Sequence, residues 1–238
     1  MKSTMIVENI VEPKELFLMW KANSGRRHKV GVLTPDQFTY LPLDSPEIVD
    51  ALQDGFEEFP AFDITKHVHD NPLPVFMRRC PPTDRRDFDA YLQAFSLDPN
   101  SAAVKKMSNF TLLGYTGAYV HGNPFHLLNP FSGIATAFEF VMQIAGAHHN
   151  YFKTHDDTNL LGQLLQAALE PDNVNDPFAV KLCLNGEPFG YIQRGLNHSF
   201  GEWVASNRLE SIRLSRVNGS VDHRYAYAFV RVKALGVG

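Results

Sequence analysis

At 238 residues, 44% hydrophobic and 20% charged, the chain has the size and composition of one large or two small folded domains rather than of a disordered polymer. A net charge of −4 excludes a nucleic-acid signature spread over the whole chain. The charge is uneven, though: from Trp203 onward Arg208, Arg213, Arg216, Arg224, Arg231 and Lys233 face only Glu210 and Asp222, whereas residues 1–144 carry 13 basic and 17 acidic residues.

Cys80 and Cys183 are too few for a disulfide framework or a paired-thiol metal site, and they point to a reducing, cytoplasmic setting. The N-terminal stretch is broken by Glu8, Glu12 and Pro13, so it reads as neither a signal peptide nor a membrane span.

In chain order, Glu15–Trp20, Lys29–Leu33 and Gln37–Leu41 read as an antiparallel meander turned at Arg26-Arg27 and Pro35-Asp36. Ser45-Pro46-Glu47 supplies a cap, a first-turn proline and an early acid for a helix that Gly55 closes. Residues 56–82 are rich in proline and aromatics and have no clean period. Thr83 starts a helix on which Phe88, Tyr91, Leu92 and Phe95 share one face, and Pro99 opens a short one through Met107. Residues 108–135 carry Gly114, Gly117, Gly122, Pro124, Asn129-Pro130 and Gly133, and read as a linker or a domain contact. The chain therefore divides into residues 1–130 and 131–238.

The C-terminal part holds a strand near 136–146, a hairpin, a helix near 196–206 and strands near 208–217 and 223–233. In the hairpin Phe178, Val180, Leu182 and Leu184 alternate with Ala179, Lys181 and Cys183 before Asn185-Gly186, and both of those turn positions need positive φ. A polar loop, Glu170 to Asp176, precedes it. In the last strand Tyr225, Tyr227, Phe229, Arg231 and Lys233 share one face, and Ala226, Ala228, Val230 and Val232 share the other.

Motifs for a P-loop, a nucleophile elbow, a zinc protease and paired Cys-x-x-Cys are absent, and Asp84, Asp87 and Asp89 fall on a helix rather than around a pocket. His67-Val68-His69-Asp70, and His148-His149 with His155-Asp156-Asp157, look metal-like but lack third and fourth ligands at sensible spacing. No enzyme chemistry, metal or cofactor is expected.

Gly146 with the histidines after it, E-P-D-N-x-x-D-P-x-A-V at 170–180, the Asn-Gly hairpin and G-Y-I at 190–192 together resemble the HIRAN family over roughly 40% of the chain. The resemblance implies a small OB- or SH3-like β-barrel with one short helix that binds DNA, in some members at a single-stranded 3′ end. It places DNA-binding positions on His148, His149, Asn173, Asn175, Asp176, Tyr191 and Phe229, with Tyr227 and Arg231 flanking Phe229. Asn175 stands where the family often has an aromatic, His148 where an arginine is expected, and Phe178 where an asparagine is usual. Read from the residues themselves, Asn173 and Asp176 either contact nucleic acid or only close the loop through Asx turns. The aromatic stripe is either a stacking platform or an inward face.

The first 130 residues, with Val30-Gly31-Val32-Leu33 and Phe76-Met77-Arg78-Arg79-Cys80-Pro81, resemble the N-terminal subdomain of HipA-family serine/threonine kinases, and no kinase core follows. Together the two resemblances imply an α+β protein of two domains. They suggest a non-enzymatic, antitoxin-like regulator that binds and inhibits a HipA-like kinase toxin and binds DNA. The alternative is a DNA-end or single-strand binding module in DNA repair or phage defence. Trp20, Phe56, Phe59, Phe62 and Phe76 are either a partner-facing apolar patch or this domain's own core.

Overall fold

The computed structural model of the chain describes residues 5–156, 160–174 and 176–236. It is α+β, with two antiparallel sheets in two compact units. One unit is Val11–Phe95 with Pro99–Phe131; the other gathers the chain up to Ile10, Ser96–Asp98 and the chain from Ser132 onward. Among the described residues no helix is long and apolar enough to cross a membrane.

In the Val11 unit the meander forms β1 (Leu16–Lys21), β2 (Arg27–Leu33) and β3 (Gln37–Tyr40), and α1 spans Pro46–Gln53. The aperiodic stretch after Gly55 contributes β4 (Val68–Asp70) and α2 (Leu73–Met77). Local pattern could not place it because its anchors are distant in sequence. The Tyr40 hydroxyl donates to the Phe62 carbonyl (2.7 Å) and accepts from the Phe59 amide (2.9 Å). Burial first, offset in part by that amide, pushes the Tyr40 phenol up to about 12.

The helix expected from Thr83 is only α3 (Phe88–Gln93), preceded by turns in which the Pro82 and Arg85 carbonyls accept from the Arg85 and Phe88 amides. α4 is Ala102–Lys105. The expected linker is regular structure instead. α5 (Asn109–Thr116) is capped by the Ser108 hydroxyl, which accepts from the Thr111 amide (3.0 Å). It ends at Gly117, whose φ of 67° no β-branched residue would adopt comfortably. β5 (Phe125–Leu128) then pairs with β1, giving the order β4-β3-β2-β1-β5.

In the second unit β6 (Phe138–Gln143), α6 (Ala147–Asn150), β7 (Leu164–Leu169), β8 (Val180–Leu184), β9 (Glu187–Tyr191), α7 (Asn197–Ala205), β10 (Leu209–Asn218) and β11 (Tyr225–Val232) build a sheet ordered β6-β11-β10-β7-β8-β9. β7, unforeseen because LLQAAL neither alternates nor is β-branched, bridges β10 and β8. The hairpin turn has φ of 52° at Asn185 and 89° at Gly186, as its dipeptide requires. Phe138, Phe140 and Met142 of β6 line the core, and Phe200 and Trp203 of α7 cover it, with Trp203 centred 5.4 Å from Phe138.

The expected barrel is not closed. β6 and β9 are the sheet's edges, and just beyond β6 Ala145 bridges to Tyr191 of β9, the two exchanging a pair of 2.8 Å backbone hydrogen bonds. Gly190 makes this seam possible: a β-carbon there would lie 2.6 Å from the Ala145 carbonyl oxygen.

Candidate nucleic-acid interface

The loop before β8 binds itself. The Glu170 carboxylate accepts from Lys181 Nζ (2.5 Å) and Asn173 Nδ2 (2.6 Å). Lys181, then Asn173, hold the Glu170 carboxyl below its ordinary range, and Glu170 in turn raises the Lys181 ammonium. Burial, then a hydrogen bond to Glu170, raises the Tyr191 phenol. Asn173 Oδ1 accepts from the Asp176 amide (3.2 Å), and Asp176 Oδ1 from the Phe178 amide (2.9 Å). Asp176 Oδ2 accepts from Asn197 Nδ2 at the start of α7 (2.6 Å), and Arg194 stands 3.8 Å away. These are Asx-type closures that fix the loop's shape and hold it to α7. Asn175 lies outside the described residues. Phe178, 68% exposed, walls a cavity of about 360 Å³ with Leu169, Pro171 and Gly201. Arg194 was not anticipated; only its position three residues after Tyr191 hints at it.

His148 and His149 sit on α6, just beyond the seam. The His148 ring packs edge-on against His149 (5.1 Å) and His223 (5.4 Å). Among the described residues no group of three or more His, Cys, Asp or Glu is placed to hold a metal ion.

The outer face of β6, β11 and β10 is organised differently. Register sets Arg231 between Glu139 and Ser211, Phe229 between Val141 and Arg213, and Tyr227 between Gln143 and Arg216. Ala226, Ala228, Val230 and Val232 fill the opposite, core face, so the strand's period of two is obeyed. The aromatic stripe is graded along the strand: Tyr225 is 42% exposed, Tyr227 half-buried and Phe229 1% exposed. This corrects the expectation for Phe229. Its ring lies under the Arg231 guanidinium (5.5 Å) and offers no free face to a base.

The tyrosines and arginines of the same face remain at the surface. The Arg216 guanidinium lies 4.2 Å over the Tyr227 ring, and Arg213 donates to the Gly162 carbonyl (3.0 Å) while staying exposed. Glu139, the acid of this face, is buried and spent on the chain itself, accepting from the Glu8 and Asn9 amides (3.2 and 2.8 Å). Of the other late basic residues, Arg208 ties the Lys233 and Thr136 carbonyls together (2.9 and 3.3 Å). Arg224 is buried against Asp156 and Phe152. Half the basic run is thus structural or peripheral, and Arg213, Arg216 and Arg231 form the patch. Cross-strand register, which no single segment reveals, selects them.

The five aromatic residues considered as a partner-facing patch are core. Trp20, Phe56, Phe59, Phe62 and Phe76 are all buried. They stack on one another, Phe59 against Phe76 at 5.2 Å, Phe59 against Phe62 at 5.6 Å and Trp20 against Phe56 at 5.5 Å. An aperiodic aromatic run satisfies itself here by tertiary stacking, so none of the five is available to a partner.

No protein-family model and no curated protein matches the chain. Among solved structures the HIRAN domain of human HLTF is similar to it, with 13% sequence identity over 40% of this chain and 76% of that one, at a TM-score of 0.31.

Proposed function

We propose that the chain is a non-enzymatic DNA-binding protein that meets DNA with the outer face of β6, β11 and β10. Arg213, Arg216 and Arg231 contact phosphates, while Tyr227 and Tyr225 offer aromatic surface to bases. The observation that carries this reading is the guanidinium of Arg216 lying on Tyr227, with two further arginines in register on the same face. Alternating cations and aromatic rings are what sequence-tolerant single-strand binding requires. The HIRAN-like motif at 170–191 supports the same reading. Capture of a 3′ end by Asn173 and Asp176 finds less support, since both side chains are engaged within the loop.

The test is fluorescence anisotropy of labelled single-stranded and duplex oligonucleotides over a salt series. Three phosphate contacts on a single strand give a log–log salt slope of about −2. Binding without a salt slope, or binding unchanged when all three arginines become alanine, sinks the proposal.

The regulatory part of the reading, an antitoxin-like inhibitor of a HipA-family kinase, rests on the resemblance of residues 1–130. Its contact surface would have to exclude the five buried aromatics. Co-purification with a kinase encoded beside this gene, and loss of that kinase's autophosphorylation on adding the chain, would support it. A neighbouring kinase that neither binds nor loses activity would remove it.

A further inference from the structure

Three features that local rules disfavour meet around the cavity between the Glu170–Phe178 loop and α7. The first is Phe178, a large apolar side chain left 68% exposed at its wall. The second is Gly201, in the middle of α7, where only proline is a poorer helix former. Neither a positive φ nor crowding calls for glycine there, because a β-carbon would meet nothing nearer than Leu169 Cδ2 at 4.0 Å. The missing side chain is what keeps the cavity open on the α7 side.

The third is Asn197, 7% exposed and part of the lining. Its Nδ2 donates to Asp176 Oδ2 (2.6 Å), a carboxylate oxygen that accepts, so the amide is held in one orientation. Among the described residues nothing hydrogen-bonds to Asn197 Oδ1. A buried acceptor without a donor costs stability. Departures from local rules that cluster in this way are expected at functional sites.

The cavity's volume, about 360 Å³, is within the range of small-molecule sites. Ala179 and Asn197 are its buried members, and Leu169, Pro171, Pro177 and Phe178 give it apolar walls. Its shape is fixed in advance, since Asp176 ties the loop to α7 through Asn197 and to itself through the Phe178 amide. Glu202 stands at the rim, with the His198 ring 3.3 Å from its carboxylate, and a carboxylate there disfavours anions.

We propose that this cavity binds a small, uncharged heteroaromatic molecule that carries a ring N–H. The flat ring would pack between Phe178 and the space that Gly201 leaves, and its N–H would donate to Asn197 Oδ1. α7 covers the core side of the sheet and the arginine patch lies on the outer side, so the site does not depend on the DNA-binding reading.

Indole is the probe, titrated into the full chain while the Asn197 side-chain amide and the Gly201 backbone amide are followed by NMR. The expected result is a saturable shift of both signals. Indene, which has the same shape and no N–H, should bind about tenfold more weakly. Gly201→Leu fills the cavity from a position with open space and raises helix propensity, so the variant should melt no lower than the parent chain and should lose indole binding. A non-saturable response, indene binding as tightly as indole, or a Gly201→Leu variant that still binds indole as the parent does, overturns the proposal. Self-association of the parent chain that Gly201→Leu abolishes would give the cavity to a second copy and overturns it as well.

Discussion

The loop from Glu170 to Phe178 and the outer face of β10 and β11 are both polar surfaces of the same unit, but they use their side chains in opposite ways. In the loop every oxygen of Asp176 and both ends of the Asn173 amide are bonded to the loop itself or to α7. On the sheet, Arg216 lies on an aromatic ring, Arg231 covers another and Arg213 touches a single carbonyl. Internal hydrogen bonds to carboxylates hold a shape, whereas a guanidinium laid on an aromatic ring keeps its positive charge on the sheet face. The more distinctive motif in the sequence is therefore the structural one, and the plainer strand pair is the surface proposed to meet DNA.

The largest test of that contrast is Phe229→Ala. A fully buried phenylalanine removed from a packed sheet costs about 3–5 kcal/mol, a large part of a domain's stability. Urea unfolding followed by Trp203, in a Trp20→Phe background so that only this unit reports, should show the loss directly. If Phe229 were instead a stacking platform, the midpoint would stay in place and only DNA binding would fall.

Next comes Gly190→Ala. The new methyl group would meet the Ala145 oxygen at 2.6 Å. The cost is on the order of 1–3 kcal/mol, taken at the seam that joins the Tyr191 side of the loop to α6. Amide hydrogen exchange at Ala145 and Tyr191 should accelerate more than exchange in β10 and β11.

Asp176→Ala removes the acceptor for the Phe178 amide and for Asn197. About 1–2 kcal/mol of stability should be lost, within the range for removing a local cap of a backbone amide. Affinity for single-stranded DNA should change by less than about twofold. A stable protein that loses its DNA binding would reverse the roles assigned to loop and sheet.

The meander and the hairpin were legible because alternation and turn chemistry act over a few residues, and Asn185-Gly186 takes up the positive φ its dipeptide needs. The last strand was half legible. Its period of two put Tyr225, Tyr227, Phe229 and Arg231 on one side, and they are on one side. The gradient of burial along that side depends on β6 and on Arg231 lying over Phe229, neither of which is local in sequence. β7 was invisible because an Ala- and Leu-rich hexapeptide gains its strand geometry from two partners rather than from its own propensity. The aromatic run at 56–62 failed for the same kind of reason, since the Tyr40 hydroxyl that pins it lies in β3. Of the candidate site, the motif residues and Arg231 were readable, and the grouping of Arg213 and Arg216 with them was not. Register across three strands brings Arg216 to Tyr227, and register is a property of the assembled sheet.

The smallest effect on the fold is the sharpest on function. Arg216→Ala removes a side chain from a half-buried strand surface and should shift the unfolding midpoint by no more than about 0.5 kcal/mol. If the sheet face binds DNA, the same substitution lowers affinity by about 5–10-fold and reduces the salt slope by nearly one contact. Arg216→Lys separates charge from geometry. Lysine keeps the phosphate contact, so the slope should survive, but its ammonium cannot lie flat on Tyr227 as the guanidinium does at 4.2 Å. Affinity should then fall between those of the parent chain and the alanine variant, with the salt slope unchanged. An alanine variant with full affinity would mean that the guanidinium on Tyr227 merely packs the strand, and the contrast between loop and sheet would lose its functional half.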